Sequence, residues 1–168
     1  IINSYISPYF LDLYNLIDST FLFSEKAIIA LTMTFVIIAR QIDLSVASII
    51  AVSSCVLGYT TSLGYDTWLV ISLTLLSGAI CGAFNGAIIT KFAIPSIIVT
   101  IGTMSLFRGL AYSFLEDSYY NKFPKLVSNL GGGYLFGYIP YAFLTFIILA
   151  IIFAFILHKT SVGKKIYS

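Results

Sequence analysis

Four polar side chains stand inside or at the edge of otherwise apolar runs: Asp43, Ser45, Asn85 and Arg108. A charge or amide in apolar surroundings persists only when it is paired or hydrogen-bonded, so each must either hold the fold together or meet a passing ligand. Asp43, two residues before Ser45, is placed to cap a new helix by accepting hydrogen bonds from its free N–H groups. That reading is preferred over a chemical role, and the position is expected to be structurally sensitive. The amide of Asn85 is expected to bond across to another helix rather than to a substrate. Arg108 keeps two readings. Its guanidinium snorkels past Tyr112 to lipid headgroups, or it lines a polar path or binds an acidic partner.

No catalytic set accompanies these residues. The single histidine, His158, stands among lysines, so there is no His-Glu-x-x-His pair and no serine with a nearby histidine. No phosphate-binding loop of the Gly-x-x-x-x-Gly-Lys-Ser/Thr type occurs, and the chain is not expected to hydrolyse ATP itself. Cys55 and Cys81 sit alone within apolar runs, where free cysteine behaves as a small hydrophobe. Neither a disulfide nor a metal site is expected. The formal net charge of +2 is too small to argue for nucleic acid.

The elements that must position these residues follow from composition. The chain is 59% hydrophobic and 10% charged, with a mean hydropathy of +0.99. A soluble domain carries roughly 25% charged residues. Lipid must therefore act as the solvent, and the expected fold class is all-α, a polytopic transmembrane helix bundle. Five apolar runs are expected to be its spans, at about residues 27–39, 44–58, 69–89, 94–115 and 141–157, forming a single transmembrane domain over 1–168. Crossing the ~30 Å hydrocarbon core takes about 20 helical residues, so little chain is left for loops. Residues 1 to 23 are mixed and aromatic, with a turn expected at Ser7-Pro8-Tyr9-Phe10 and a location at the membrane surface. Residues 58 to 66 are expected to form a turn, and residues 116 to 138, which include Glu116 and Asp117, a polar glycine-rich loop. The chain opens on Ile1 and stops at Ser168 without a helix-ending signal. It is expected to be a piece of a longer protein, incomplete at both ends.

Lysine and arginine give the orientation. Arg40, Lys91, Lys159, Lys164 and Lys165 collect at one set of ends and are expected to be cytoplasmic, which places the 116–138 loop outside. Within the third run, Gly78, Gly82 and Gly86 recur every four residues with alanines beside them. Such a stripe lets two helix backbones approach closely in lipid.

The local strings then become specific. Ile42-Asp43-Leu44-Ser45-Val46 opens a membrane helix. Asn85-Gly86-Ala87-Ile88-Ile89-Thr90-Lys91 precedes Ile94-Pro95-Ser96-Ile97-Ile98-Val99-Thr100-Ile101-Gly102-Thr103-Met104-Ser105. Phe107-Arg108-Gly109-Leu110-Ala111 follows, and Gly163-Lys164-Lys165-Ile166-Tyr167 closes the chain. In order and spacing these resemble the permease subunit of bacterial ABC importers for simple sugars, the ribose, rhamnose and autoinducer-2 group, within the branched-chain amino-acid permease superfamily. The resemblance runs from Ser7 to Ser168, over a chain about half the length of a full permease. Where the family usually carries glycines around the Ile-Asp and Ser-Val strings, this chain has Arg40, Gln41 and Ala47.

The resemblance implies a multi-pass subunit in the bacterial cytoplasmic membrane that moves a monosaccharide by alternating access. It implies a second permease subunit, as homo- or heterodimer, a cytoplasmic ATP-binding subunit, and an extracellular or periplasmic sugar-binding protein. No cofactor is expected in this chain, ATP being held by the partner. Lys159, Gly163, Lys164, Lys165 and Tyr167 would begin the segment that docks on the ATPase. Asp43, Ser45, Asn85 and Arg108 would shape the helix core or pathway. The rival readings are a secondary transporter or channel subunit, for which Asp43 alone is a thin coupling site, and a permease for autoinducer-2 or branched-chain amino acids. An intramembrane enzyme ranks last.

Overall fold

A computed structural model of the chain describes residues 12–115 and 119–167. The turn expected at Ser7-Pro8-Tyr9-Phe10 and the acids Glu116 and Asp117 lie outside the described residues. The elements in chain order are α1 (Leu13–Ile38), α2 (Val46–Ser62), α3 (Thr67–Phe92), α4 (Ser96–Leu115), α5 (Lys125–Gly132), β1 (Tyr134–Leu135), β2 (Ile139–Pro140), α6 (Tyr141–Lys159) and α7 (Ser161–Tyr167). Four stretches are long and apolar enough to cross a membrane: Ser19–Ile38, Thr67–Phe92, Ser96–Leu115 and Tyr141–Lys159. The apolar α2 has 17 residues, or about 25 Å at 1.5 Å per residue, slightly less than the hydrocarbon core.

The chain divides into two units. The first comprises the described residues within 1–39 and 125–168. In it α1 packs against α6. Phe35 and Phe153 meet edge to face at 4.8 Å, the arrangement that ring quadrupoles prefer. The helix α1 continues upstream through Glu25 and Lys26, where a surface segment was expected. Charged residues interrupt an apolar run but do not break a helix, and no proline or glycine falls between residues 12 and 38. The expected 116–138 loop is also partly ordered. It carries α5 and a two-stranded ladder in which Tyr134 pairs with Pro140 and Leu135 with Ile139. Phe136 (φ 53) and Gly137 (φ 78) turn the corner. Two successive positive φ values match the right-handed twist of a hairpin.

The second unit is Arg40–Pro124. Here α2 packs against both α3 and α4. The α2–α3 connection is shorter than the sequence suggested, because α2 runs through Gly58 to Ser62. Gly64 (φ 75) makes the turn. The side chain of Asp66 then caps α3 by accepting from the Trp68 N–H at 3.0 Å, supplying one partner that a helix start lacks.

Buried positions of this unit are largely polar or small. Ser45, Ser48, Asn85, Ser96, Thr100 and Thr103 are buried, whereas Leu75, Ile80, Ile98 and Tyr112 are exposed. This reverses the pattern of a water-soluble core and suits helices that associate in lipid by close approach and hydrogen bonds. The glycine stripe contributes at one point. A Cβ on Gly78 would meet Ser53 Oγ at 3.2 Å, whereas at Gly82 and Gly86 it would meet nothing within 4 Å. With 3.6 residues per turn, a four-residue step rotates by about 40°. Gly82 and Gly86 therefore turn progressively away from the α2 contact that Gly78 makes.

Two stability predictions follow from these contacts. Gly78→Leu should lower the thermal midpoint of the detergent-purified chain, at a cost of about 1–3 kcal/mol from overpacking, while Gly82→Leu leaves it near wild type. Equal losses in both variants would contradict the assignment. Ala93 ends α3 in the left-handed region at φ 52, where a Cβ is penalised. Ala93→Gly should therefore raise the midpoint, with a gain of up to about 1 kcal/mol.

Candidate functional site

The chain between Ala39 and Val46 is not helical. Arg40 enters this stretch with φ 57, a region that glycine adopts without the steric cost a side chain brings. Backbone that leaves a helix among membrane spans needs its N–H and C=O groups satisfied by protein. Here α4 supplies that service. The N–H of Ile42 donates to Ser96 Oγ at 3.0 Å. Thr100 Oγ1 donates towards the Ile42 carbonyl at 3.3 Å, sharing its proton with the Ile97 carbonyl at 3.4 Å.

Asp43 folds back on the next turn. Its Oδ1 accepts from the N–H of Ser45 at 2.8 Å and from Ser45 Oγ at 2.6 Å. The carboxylate thus sits at the positive end of the α2 dipole, where a negative charge is favoured. It braces the residue at the N-cap position rather than an N–H within the helix, and Ser45 itself makes no side-chain cap bond. Asn85 reaches across from α3, its Nδ2 donating to Ser45 Oγ at 2.8 Å. Ser48 Oγ, one turn on, donates to the Ser45 carbonyl at 2.7 Å.

The direction of these bonds follows from counting protons. A serine hydroxyl has one hydrogen and two lone pairs. The carboxylate of Asp43 can only accept, so the Ser45 proton goes to it. Ser45 must then accept from Asn85, which fixes the amide with nitrogen towards the serine. The carbonyl end is left over. Asn85 Oδ1 is buried and has no hydrogen-bond partner among the described residues, an arrangement that costs about 1–3 kcal/mol when nothing fills it.

Asp43, Ser45 and Asn85 therefore meet at the start of α2. Arg108 does not join them. It is exposed on α4, one turn before the exposed Tyr112, and side chains four apart share a helix face. Sequence reasoning missed Ser96, Thr100 and Ser48. For α4 the signal was the polar spacing 96, 100, 103, because those positions fall on one face.

The residues expected to couple to an ATPase lie at the other end of the chain. Thr160 closes α6 and opens α7, its Oγ1 accepting from the Gly163 N–H at 3.3 Å. A Cβ on Gly163 would collide with the Leu157 carbonyl, so this turn has no room for a side chain. Lys159 and Lys164 are exposed. The side chains of Lys165 and Tyr167 lie outside the described part of the structure. Among the described residues no group of three or more His, Cys, Asp or Glu could hold a metal ion.

Known proteins are similar to this chain in sequence. The family described as "Branched-chain amino acid transport system / permease component" matches residues 15–168. The autoinducer 2 import system permease protein LsrC of Escherichia coli is 33% identical over 141 residues, covering 84% of this chain and 41% of the relative. The ribose import permease protein RbsC of Haemophilus influenzae is 33% identical over 172 residues, covering 98% of this chain and 52% of the relative. The chain thus spans about half the length of these curated relatives, or less. No solved structure matches. With a match across nearly the whole chain and four helices of membrane-crossing length, this multi-pass membrane protein belongs to the family of branched-chain amino acid transport system permease components.

Proposed function

We propose that the chain is part of the permease subunit of an ATP-driven importer that carries a monosaccharide inward across the bacterial cytoplasmic membrane. The observation that carries this reading is the 33% identity, over 98% of the chain, to a protein named as a ribose import permease. The permease would work by alternating access beside a second permease subunit, identical or homologous. A separate cytoplasmic subunit would bind and hydrolyse ATP, and a binding protein outside would deliver the sugar. The relatives named for autoinducer 2 import favour a second reading, in which autoinducer 2 is the cargo.

Each part of the chain has a role in this scheme. The non-helical stretch at Asp43 would serve as a point of bending. Its backbone bonds run to side chains on α4, and those can be re-formed elsewhere, unlike a helix's own ladder. Asn85 and Ser45 would hold α3 against that point. Arg108, exposed on α4, would face lipid headgroups or the pathway. The tight Thr160–Gly163 turn would pass movement from the ATP-binding subunit into α6, with Lys159, Lys164, Lys165 and Tyr167 at the docking surface.

Uptake of labelled ribose and of autoinducer 2 into vesicles carrying the full-length permease with its neighbouring ATP-binding and sugar-binding proteins tests the reading. ATP-dependent ribose uptake is expected. Uptake of autoinducer 2 alone selects the second reading. Uptake that persists without the ATP-binding subunit and collapses with the ion gradient would mean secondary transport. Gly163→Leu should lower the transport rate about tenfold or more, equivalent to roughly 1.4 kcal/mol on the barrier, without loss of the folded subunit. Wild-type transport in that variant would remove Gly163 from the coupling path.

A further inference from the structure

We infer that the start of α2 is a binding site for a single hydroxyl group, which donates its hydrogen to Asn85 Oδ1. Its water source stands without the import reading, and its sugar source rests on that reading. The inference is carried by the carbonyl of Asn85. It is 4% exposed, its amide nitrogen is committed to Ser45, and Oδ1 lacks any donor among the described residues. Rotating the amide does not cure this. It would set Oδ1 against Ser45 Oγ, whose only proton is already held by Asp43 at 2.6 Å.

The surroundings narrow the donor. Ser45 occupies the N-cap position without a side-chain bond to the first turn of α2, and its carbonyl accepts from the N–H groups of Ser48 and Ile49. Asp43 accepts the N–H and the hydroxyl of Ser45, so a carboxylate stands close to the Asn85 amide.

That setting selects the ligand chemistry. An anion would face the Asn85 carbonyl and the Asp43 carboxylate. A cation would be drawn by both but must give up its hydration to enter a buried place. A hydroxyl group supplies the one hydrogen that Asn85 Oδ1 lacks without adding charge there. Two sources share this chemistry: a water molecule held inside the unit, and one hydroxyl of a sugar in transit.

A cryo-EM map of the full-length permease in lipid nanodiscs, at a resolution that shows ordered water, tests this with and without saturating D-ribose. A non-protein peak at hydrogen-bond distance from Asn85 Oδ1, about 2.7–3.2 Å, is expected. An isolated peak in both maps identifies resident water. A peak that joins ribose density, and only when ribose is present, identifies the sugar hydroxyl. An empty position in both maps, or a protein donor from elsewhere in the full-length chain on Asn85 Oδ1, overturns the inference. Asn85→Leu, in protein that still assembles, should lose the peak; a peak retained in that variant also overturns it.

Discussion

Backbone polar groups in lipid must find partners within the protein, and the stretch between Ala39 and Val46 is where that constraint bears hardest. A helix satisfies its own N–H and C=O groups, so α1, α3, α4 and α6 can face acyl chains without further provision. The non-helical residues before α2 cannot. Their backbone is served by Ser96 and Thr100 of α4, and their end is held by Asn85 of α3. The second unit is organised around this repair. Ser45, Ser48, Asn85, Ser96, Thr100 and Thr103 are buried towards the loop end of the helices, and many large apolar side chains are exposed.

Ser45 is the hinge of the hydrogen-bond logic. With one proton and two flanking polar groups, it must donate to Asp43 and accept from Asn85. This ties the carboxylate, the helix end and α3 into one directional chain. A buried network satisfied at every atom is rigid, whereas a polar atom left without a partner in a low-dielectric place is costly. Among the described residues, Asn85 Oδ1 is such an atom. In a transporter, a connection made by side chains rather than by a continuous helical ladder also gives the chain a place to move without unravelling a span.

Family membership and fold agree on the kind of molecule this is. Helices of membrane-crossing length, short connections and a family match over residues 15–168 describe a permease. In the proposed scheme, coupling to ATP hydrolysis would run through the segment that begins at Thr160. There the structure shows a tight turn, its glycine pressed on the preceding helix end. Two turns in the chain thus solve the same problem differently. Near Asp43 a change of direction is stabilised by side-chain hydrogen bonds, and near Gly163 by the absence of a side chain.

The sequence by itself determined the class of protein and the approximate run of its apolar helices, because hydropathy depends only on which residues are adjacent. It also marked Asp43, Ser45 and Asn85 as polar groups that must have partners. It misjudged boundaries wherever charge or glycine was taken as a stop. The first helix runs through Glu25 and Lys26, α2 runs through Gly58, and a short helix and hairpin occupy part of the expected outer loop, since backbone geometry rather than polarity ends a helix. Only the tertiary structure decided which partners meet. That Asn85 reaches Ser45 across 40 positions, that Gly78 touches α2 while Gly82 and Gly86 do not, and that Arg108 stands apart depend on the rotation and depth of each helix against its neighbours. Those are set by packing between segments distant in sequence, which no local spacing encodes.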